Sequence, residues 1–121
     1  DAANVQALPY VPILSGHAGA DGRLAEAAVA GGAAGIVYAG VGNGSIHEAV
    51  LPALCEAAAR GVAVVRTSRA AFDAVLPAPA YDEAGFIDGD TLPPAKARIL
   101  LQLALLQTQE KEEIQRMFHM Y

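Results

Sequence analysis

Gly35-Ile36-Val37-Tyr38-Ala39-Gly40-Val41-Gly42-Asn43-Gly44-Ser45 reads as a strand running into a glycine-rich turn. The run from Gly35 to Ala39 is apolar without a break, and it does not alternate with polar residues. That is the pattern of a strand covered on both faces. Two more short runs of this kind lie on either side of it, Val11 to Leu14 and Val62 to Val65. Helical patterns separate the three, and this alternation of strand and helix predicts a parallel sheet. A further short strand is expected at Gly85-Phe86-Ile87. The fold class expected is therefore α/β, a small open parallel sheet of about four strands with helices on both faces.

Before this strand, Asp21 is the expected N-cap of a helix from Gly22 to about Ala30, with Leu24, Ala27, Ala28 and Val29 on its core side and Gly31-Gly32 as its stop. Ser45-Ile46-His47-Glu48 has the spacing of a capping box, so Ser45 is expected to open a helix over Ile46 to Arg60, closed by Gly61. Pro52 falls inside that helix and would bend it or end its first turn. After Val65 a long loop is expected to Ala84, because Pro77 and Pro79 oppose regular structure. Pro94 then opens a helix to about Leu106. A last helix, Lys111 to Phe118, carries Ile114, Met117 and Phe118 on one side.

The 121 residues suit one domain, residues 1–121, with 54% hydrophobic content and a core of small aliphatic side chains. A net charge of −5 with scattered basic residues offers no footprint for nucleic acid or an anionic membrane. No apolar run reaches the roughly 18 residues of a membrane span. The opening Asp1-Ala2-Ala3-Asn4-Val5 reads like the middle of a longer protein. The one cysteine, Cys55, is expected as a small buried hydrophobe.

Candidate chemistry is sparse. The Gly40-to-Ser45 segment follows a strand as a dinucleotide loop does, yet Ser45 or His47 stands where the third glycine is needed, and no acidic residue ends the next strand. A tight turn accounts for those glycines. His17, His47 and His119 have no metal-ligand spacing, so neither a metal nor another cofactor is expected. Ser15, Ser45 and Ser68 all fall near carboxyl ends of strands, where ligands bind in open parallel sheets, but none sits in a nucleophile elbow. Ser45 has two readings, a helix cap or a group at a helix N-terminus that meets an anionic ligand. Arg66 and Arg69 are equally open, to a carboxylate ligand or to a structural ion pair with Asp21 or Glu48.

The Gly35-to-Ser45 block, then Val64-Val65-Arg66-Thr67-Ser68-Arg69, then Leu92-Pro93-Pro94-Ala95-Lys96-Ala97-Arg98-Ile99-Leu100-Leu101-Gln102-Leu103-Ala104-Leu105, and the ending Glu113-Ile114-Gln115-Arg116-Met117-Phe118-His119-Met120-Tyr121 together resemble the C-terminal domain of bacterial L-asparaginases of the periplasmic class. The resemblance implies an amidohydrolase acting on L-asparagine, with L-glutamine as a second substrate. It further implies a homo-oligomer, usually a tetramer, and a periplasmic location, with the cytoplasm as the alternative. In that family the threonine nucleophile and its partners belong to an N-terminal domain, and those motifs are not in this sequence. No catalytic residue is therefore expected here, and the chain alone is expected to be inactive.

The resemblance also implies that the C-terminal domain lends side chains to a site shared between subunits. Ser45 falls where the family places an Asn or Ser that reaches the substrate of the adjacent subunit. A family glutamate in the loop before Gly85-Phe86 has Pro79 or Ala80 at its place, and Glu83, just beyond, is the substitute. Ser45 and Glu83 are thus the expected substrate contacts. The competing reading is an independent α/β ligand-binding or oligomerisation module, since fold alone does not decide function.

Overall fold

The computed structural model describes residues 8–16, 21–41, 44–69, 75 and 78–120. Four parallel strands stand side by side in chain order: β1 (Ile13–Ser15), β2 (Gly35–Gly40), β3 (Ala63–Ser68) and β4 (Ile87–Asp88). The helices are α1 (Arg23–Ala30), α2 (Leu51–Ala59), α3 (Pro79–Glu83), α4 (Pro94–Leu105) and α5 (Lys111–Met120). Right-handed crossovers that advance in one direction leave their helices on one face of the sheet. Accordingly α1 and α2 share a face, and α4 and α5, which follow the last strand, cover the other.

Every residue of β2 is buried, and its side chains alternate between two cores. Ile36 and Tyr38 join Val64, Phe86, Leu54 and Ala57 on the α1–α2 side. Val37 joins Val65, Ile87, Leu101, Ile114 and Phe118 on the α4–α5 side. Full burial of each such aliphatic or aromatic side chain is worth about 1.5–3 kcal/mol. A strand flanked on both faces collects this at every position, which is why its apolar run is unbroken.

The ends of α1, α2 and α3 follow one device. Gly32, Gly61 and Gly85 have φ of 88°, 92° and 92°. Beyond each, the next N–H reaches back to the helix, as Val62 N–H does to the Ala57 carbonyl at 3.0 Å. These are Schellman turns, and only glycine adopts that φ without strain.

Several expectations need correction. The helix expected from Ile46 begins at Leu51, so Ser45 does not cap it. Pro52 stands in its first turn and has no N–H to donate, so a turn at His47–Leu51 cannot continue smoothly into the helix. In α1 the buried residues are Ala25 and Ala28, with Leu24 and Ala27 exposed. Here α1 lies so close to α2 that a Cβ on Gly22 would sit 2.8 Å from the Ala53 Cβ, and small side chains outrank hydrophobic ones at such a contact. The N-cap is Gly22, and Asp21 accepts from the Arg23 N–H at 3.0 Å from one position before it. The side-chain hydrogen bond from Arg23 also lowers the pKa of that exposed carboxyl.

The fourth strand starts at Ile87, not Gly85, which is spent on the turn ending α3. Part of the expected loop is regular structure as well. β3 continues to Ser68, and Pro79 opens α3 where a fixed φ and a missing N–H do no harm. Cys55 is half-buried against the α1–α2 core. His17 and the segments 42–43, 70–74 and 76–77 lie outside the described residues.

At the free edge of β4 the Asp88 N–H donates to Gln115 Oε1 at 2.8 Å, and Gln115 Nε2 donates to the Asp88 carbonyl at 2.9 Å. The α5 amide thus stands in for a fifth strand and closes that edge.

Candidate functional site

Parallel pairing brings the carboxyl ends of the strands to one edge of the sheet. Ser15 ends β1, Ser68 ends β3, and Ser45 follows the turn after β2, so the three serines line that edge as the sequence expects. Ser45 is exposed, and Ser68 is buried. A cleft of about 370 Å³ opens here between Gly16, Tyr38, Val41, Ser45, His47 and Arg69. Its size is that of a small-molecule site, and it combines a hydroxyl, an imidazole and a guanidinium with an apolar wall.

The turn that carries Ser45 is folded tightly onto its strand. Gly44 and Ser45 N–H groups both donate to the Val41 carbonyl, at 3.0 and 3.2 Å. A Cβ on Gly40 would collide with the Ser45 carbonyl oxygen, so glycine at this position lets the turn close. Gly40 and Gly44 are thus accounted for by close backbone approach and by the φ of 88° at Gly44, as a tight turn requires, and Gly42 lies outside the described residues.

Beneath the turn lies a polar group inside the core. Tyr38, Arg66 and Asp88 are register partners in adjacent strands and therefore share one face of the sheet. Arg66 is 1% exposed and Asp88 6%. Asp88 Oδ1 accepts from Arg66 Nη2 at 2.7 Å and from Nε at 3.1 Å. Arg66 Nη1 donates to the Gly44 carbonyl at 3.3 Å, and the guanidinium lies 4.6 Å from the centroid of the Tyr81 ring. An ion pair this dry persists because hydrogen bonds and a π face replace the lost water. The expected partners of Arg66, Asp21 and Glu48, are both surface residues, so the structural reading holds with a different acid.

The tyrosine hydroxyls complete the support. Tyr81 Oη accepts from the Ile46 N–H at 3.1 Å, and Tyr38 Oη accepts from the His47 N–H at 3.0 Å. Neither hydroxyl is among the candidate groups expected from the sequence. A signal existed for Tyr38, because a tyrosine in a fully buried strand must find a partner for its hydroxyl. Tyr81, in a stretch read as loop, gave none.

Glu83 ends α3, is exposed, and is not among the described residues lining the cleft. Ser45 and Glu83 stand on different elements, the turn after β2 and the end of α3. Arg69 stays exposed at the cleft. Among the described residues there is no cluster of three His, Cys, Asp or Glu side chains that could hold a metal ion.

Residues 10–118 match the glutaminase/asparaginase C-terminal domain. The chain belongs to that family. This asparaginase-type domain is 44% identical over 123 residues to L-asparaginase 2 of Escherichia coli, covering 100% of the chain and 35% of the relative. It is 36% identical over 127 residues to the glutaminase-asparaginase of Pseudomonas fluorescens, covering 100% and 34%. The crystal structure of a probable cytoplasmic L-asparaginase from Campylobacter jejuni superimposes with a TM-score of 0.93 at 38% identity, covering 100% of the domain and 40% of that chain. The domain thus spans about a third of the curated relatives it matches. Its four-stranded parallel sheet with helices is the α/β architecture that the superposition shares.

Proposed function

We propose that this domain serves an L-asparaginase-like amidohydrolase, which converts L-asparagine and water to L-aspartate and ammonia. In this reading it supplies a subunit interface and substrate contacts to a neighbouring subunit's active site and performs no bond cleavage itself. The observation that carries the proposal is the family match across residues 10–118; the part given to Ser45 is supported by its exposed turn beside a cleft at the carboxyl edge of the sheet. Ser45 is exposed at that edge, within reach of a ligand or of another chain. Glu83 is the second substrate contact proposed; exposed at the end of α3, it would act on a site that a neighbouring chain completes. L-Glutamine is the second substrate, since the relatives named above include a glutaminase-asparaginase.

The assembly proposed is an oligomer, because a domain that lends side chains to another subunit's site has work only there, and the family resemblance makes it a homotetramer. The periplasm is the proposed location. The cytoplasm is the alternative, kept by the Campylobacter relative. No described helix is long and apolar enough to cross a membrane.

Two measurements test this reading. The 121-residue chain, purified by itself, releases no ammonia from L-asparagine above the buffer rate. Ammonia release that follows the chain through purification would overturn the division of labour. In the full-length oligomer, Ser45→Ala lowers kcat/KM for L-asparagine roughly two- to twelve-fold, the worth of one neutral hydrogen bond, and more if the substrate group is charged. Since Ser45 does not cap α2, the loss of about 0.5–2 kcal/mol expected of a broken cap is absent. Unchanged kinetics would remove Ser45 from the site and favour an independent module.

A further inference from the structure

Ser45 stands on a turn with three side-chain anchors, none of them its neighbour in sequence. The Gly44 carbonyl accepts from Arg66, the Ile46 N–H donates to Tyr81, and the His47 N–H donates to Tyr38. These anchors come from β3, α3 and β2. Each is itself held. Asp88 and the Tyr81 ring fix Arg66, the Tyr38 ring is buried in the α1–α2 core, and Tyr81 packs against Phe86 with ring centroids 6.0 Å apart. Main-chain groups on a surface turn are ordinarily left to water. Here the residues on both sides of Ser45 are tied to side chains rooted in the interior.

We propose that Tyr81 and Tyr38 are positioning residues for Ser45. Their hydroxyls fix the backbone of residues 46 and 47, so that the Ser45 side chain is presented to substrate in one orientation and little ordering remains to be done on binding. The proposal rests on the reading that Ser45 meets substrate. Arg66 and Asp88 serve the same end through Gly44 and through the ring of Tyr81, and they also hold the core together. The tyrosine hydroxyls are therefore the groups that separate positioning from stability. Removing a hydroxyl leaves the ring, its packing and its contact with Arg66 in place.

The experiment is Tyr81→Phe in the full-length oligomer, made alone and together with Ser45→Ala, with Tyr38→Phe as a second variant. Tyr81→Phe alone lowers kcat/KM for L-asparagine roughly two- to ten-fold, by no more than Ser45→Ala does. Added to Ser45→Ala, it changes kcat/KM by no more than about 1.7-fold, because the side chain it orients has gone. A purely structural role would lower kcat/KM by the same factor in both backgrounds, and that result overturns the proposal. Ser45→Ala with a clear loss, beside tyrosine variants that change nothing, overturns it as well and leaves the reading of Ser45 intact. A silent Ser45→Ala would end both together.

Discussion

Asp88→Ala is expected to cost about 3–5 kcal/mol of folding stability, because it strands the Arg66 guanidinium in the core without its counter-charge. Arg66 cannot relieve this by reaching water, since its side chain is 1% exposed and lies under the Ser45 turn and the Tyr81 ring. The change appears as a fall of roughly 10–25 °C in the midpoint of thermal unfolding. A double variant, Arg66→Met with Asp88→Leu, is expected to be more stable than Asp88→Ala, because removing both charges also removes the desolvation penalty. A loss below about 1 kcal/mol for Asp88→Ala would show that the guanidinium finds water or another acceptor. The pair would then not be the anchor described above.

Phe118→Ala is the second large effect, at about 3–5 kcal/mol. Phe118 is fully buried between α4, α5 and the β3–β4 side of the sheet, in contact with the core formed by Val65, Ile87, Leu101 and Ile114. Truncation leaves a cavity that rigid neighbours cannot close. Two residues on, Met120 is 72% exposed, and Met120→Ala is expected to stay within about ±0.5 kcal/mol. Urea unfolding of the two variants checks both statements, since the midpoint should drop sharply for one and hardly for the other. Comparable losses would mean that α5 packs on a different face. The Gln115 closure of the β4 edge would be lost with it, because Gln115 and Phe118 hold the same helix in one rotation.

How far these features could be read in advance depends on the range of the interactions. Periodicity is local, and it was enough for the sheet, for α4 and for the face of α5 that carries Ile114 and Phe118. A strand buried on both faces must be continuously apolar, and a helix docked on one side must repeat its apolar residues every three or four positions. The turn glycines at 32 and 61 were legible for the same reason, as each serves the helix just before it. The family resemblance rests on ordered blocks along the chain, and it directed attention to Ser45.

What the sequence left open involves partners distant in the chain. The start of α2 was misplaced because Ser45 and Glu48 fit a local capping pattern, while the turn is held by Arg66, Tyr81 and Tyr38. The buried face of α1 was misjudged because the spacing to α2, not the hydrophobicity of Leu24, decides what fits. Arg66 and Asp88 are 22 residues apart, and only the register of β3 with β4 makes them neighbours. Sequence by itself therefore determined the alternation of strands with the main helices and the buried faces of β2 and α5, because those choices follow from each residue's own hydrophobicity and φ. Tertiary structure alone decided which charges meet and which hydroxyls hold the Ser45 turn, because hydrogen bonds and ion pairs depend on separations of a few ångströms, and strand register sets those separations.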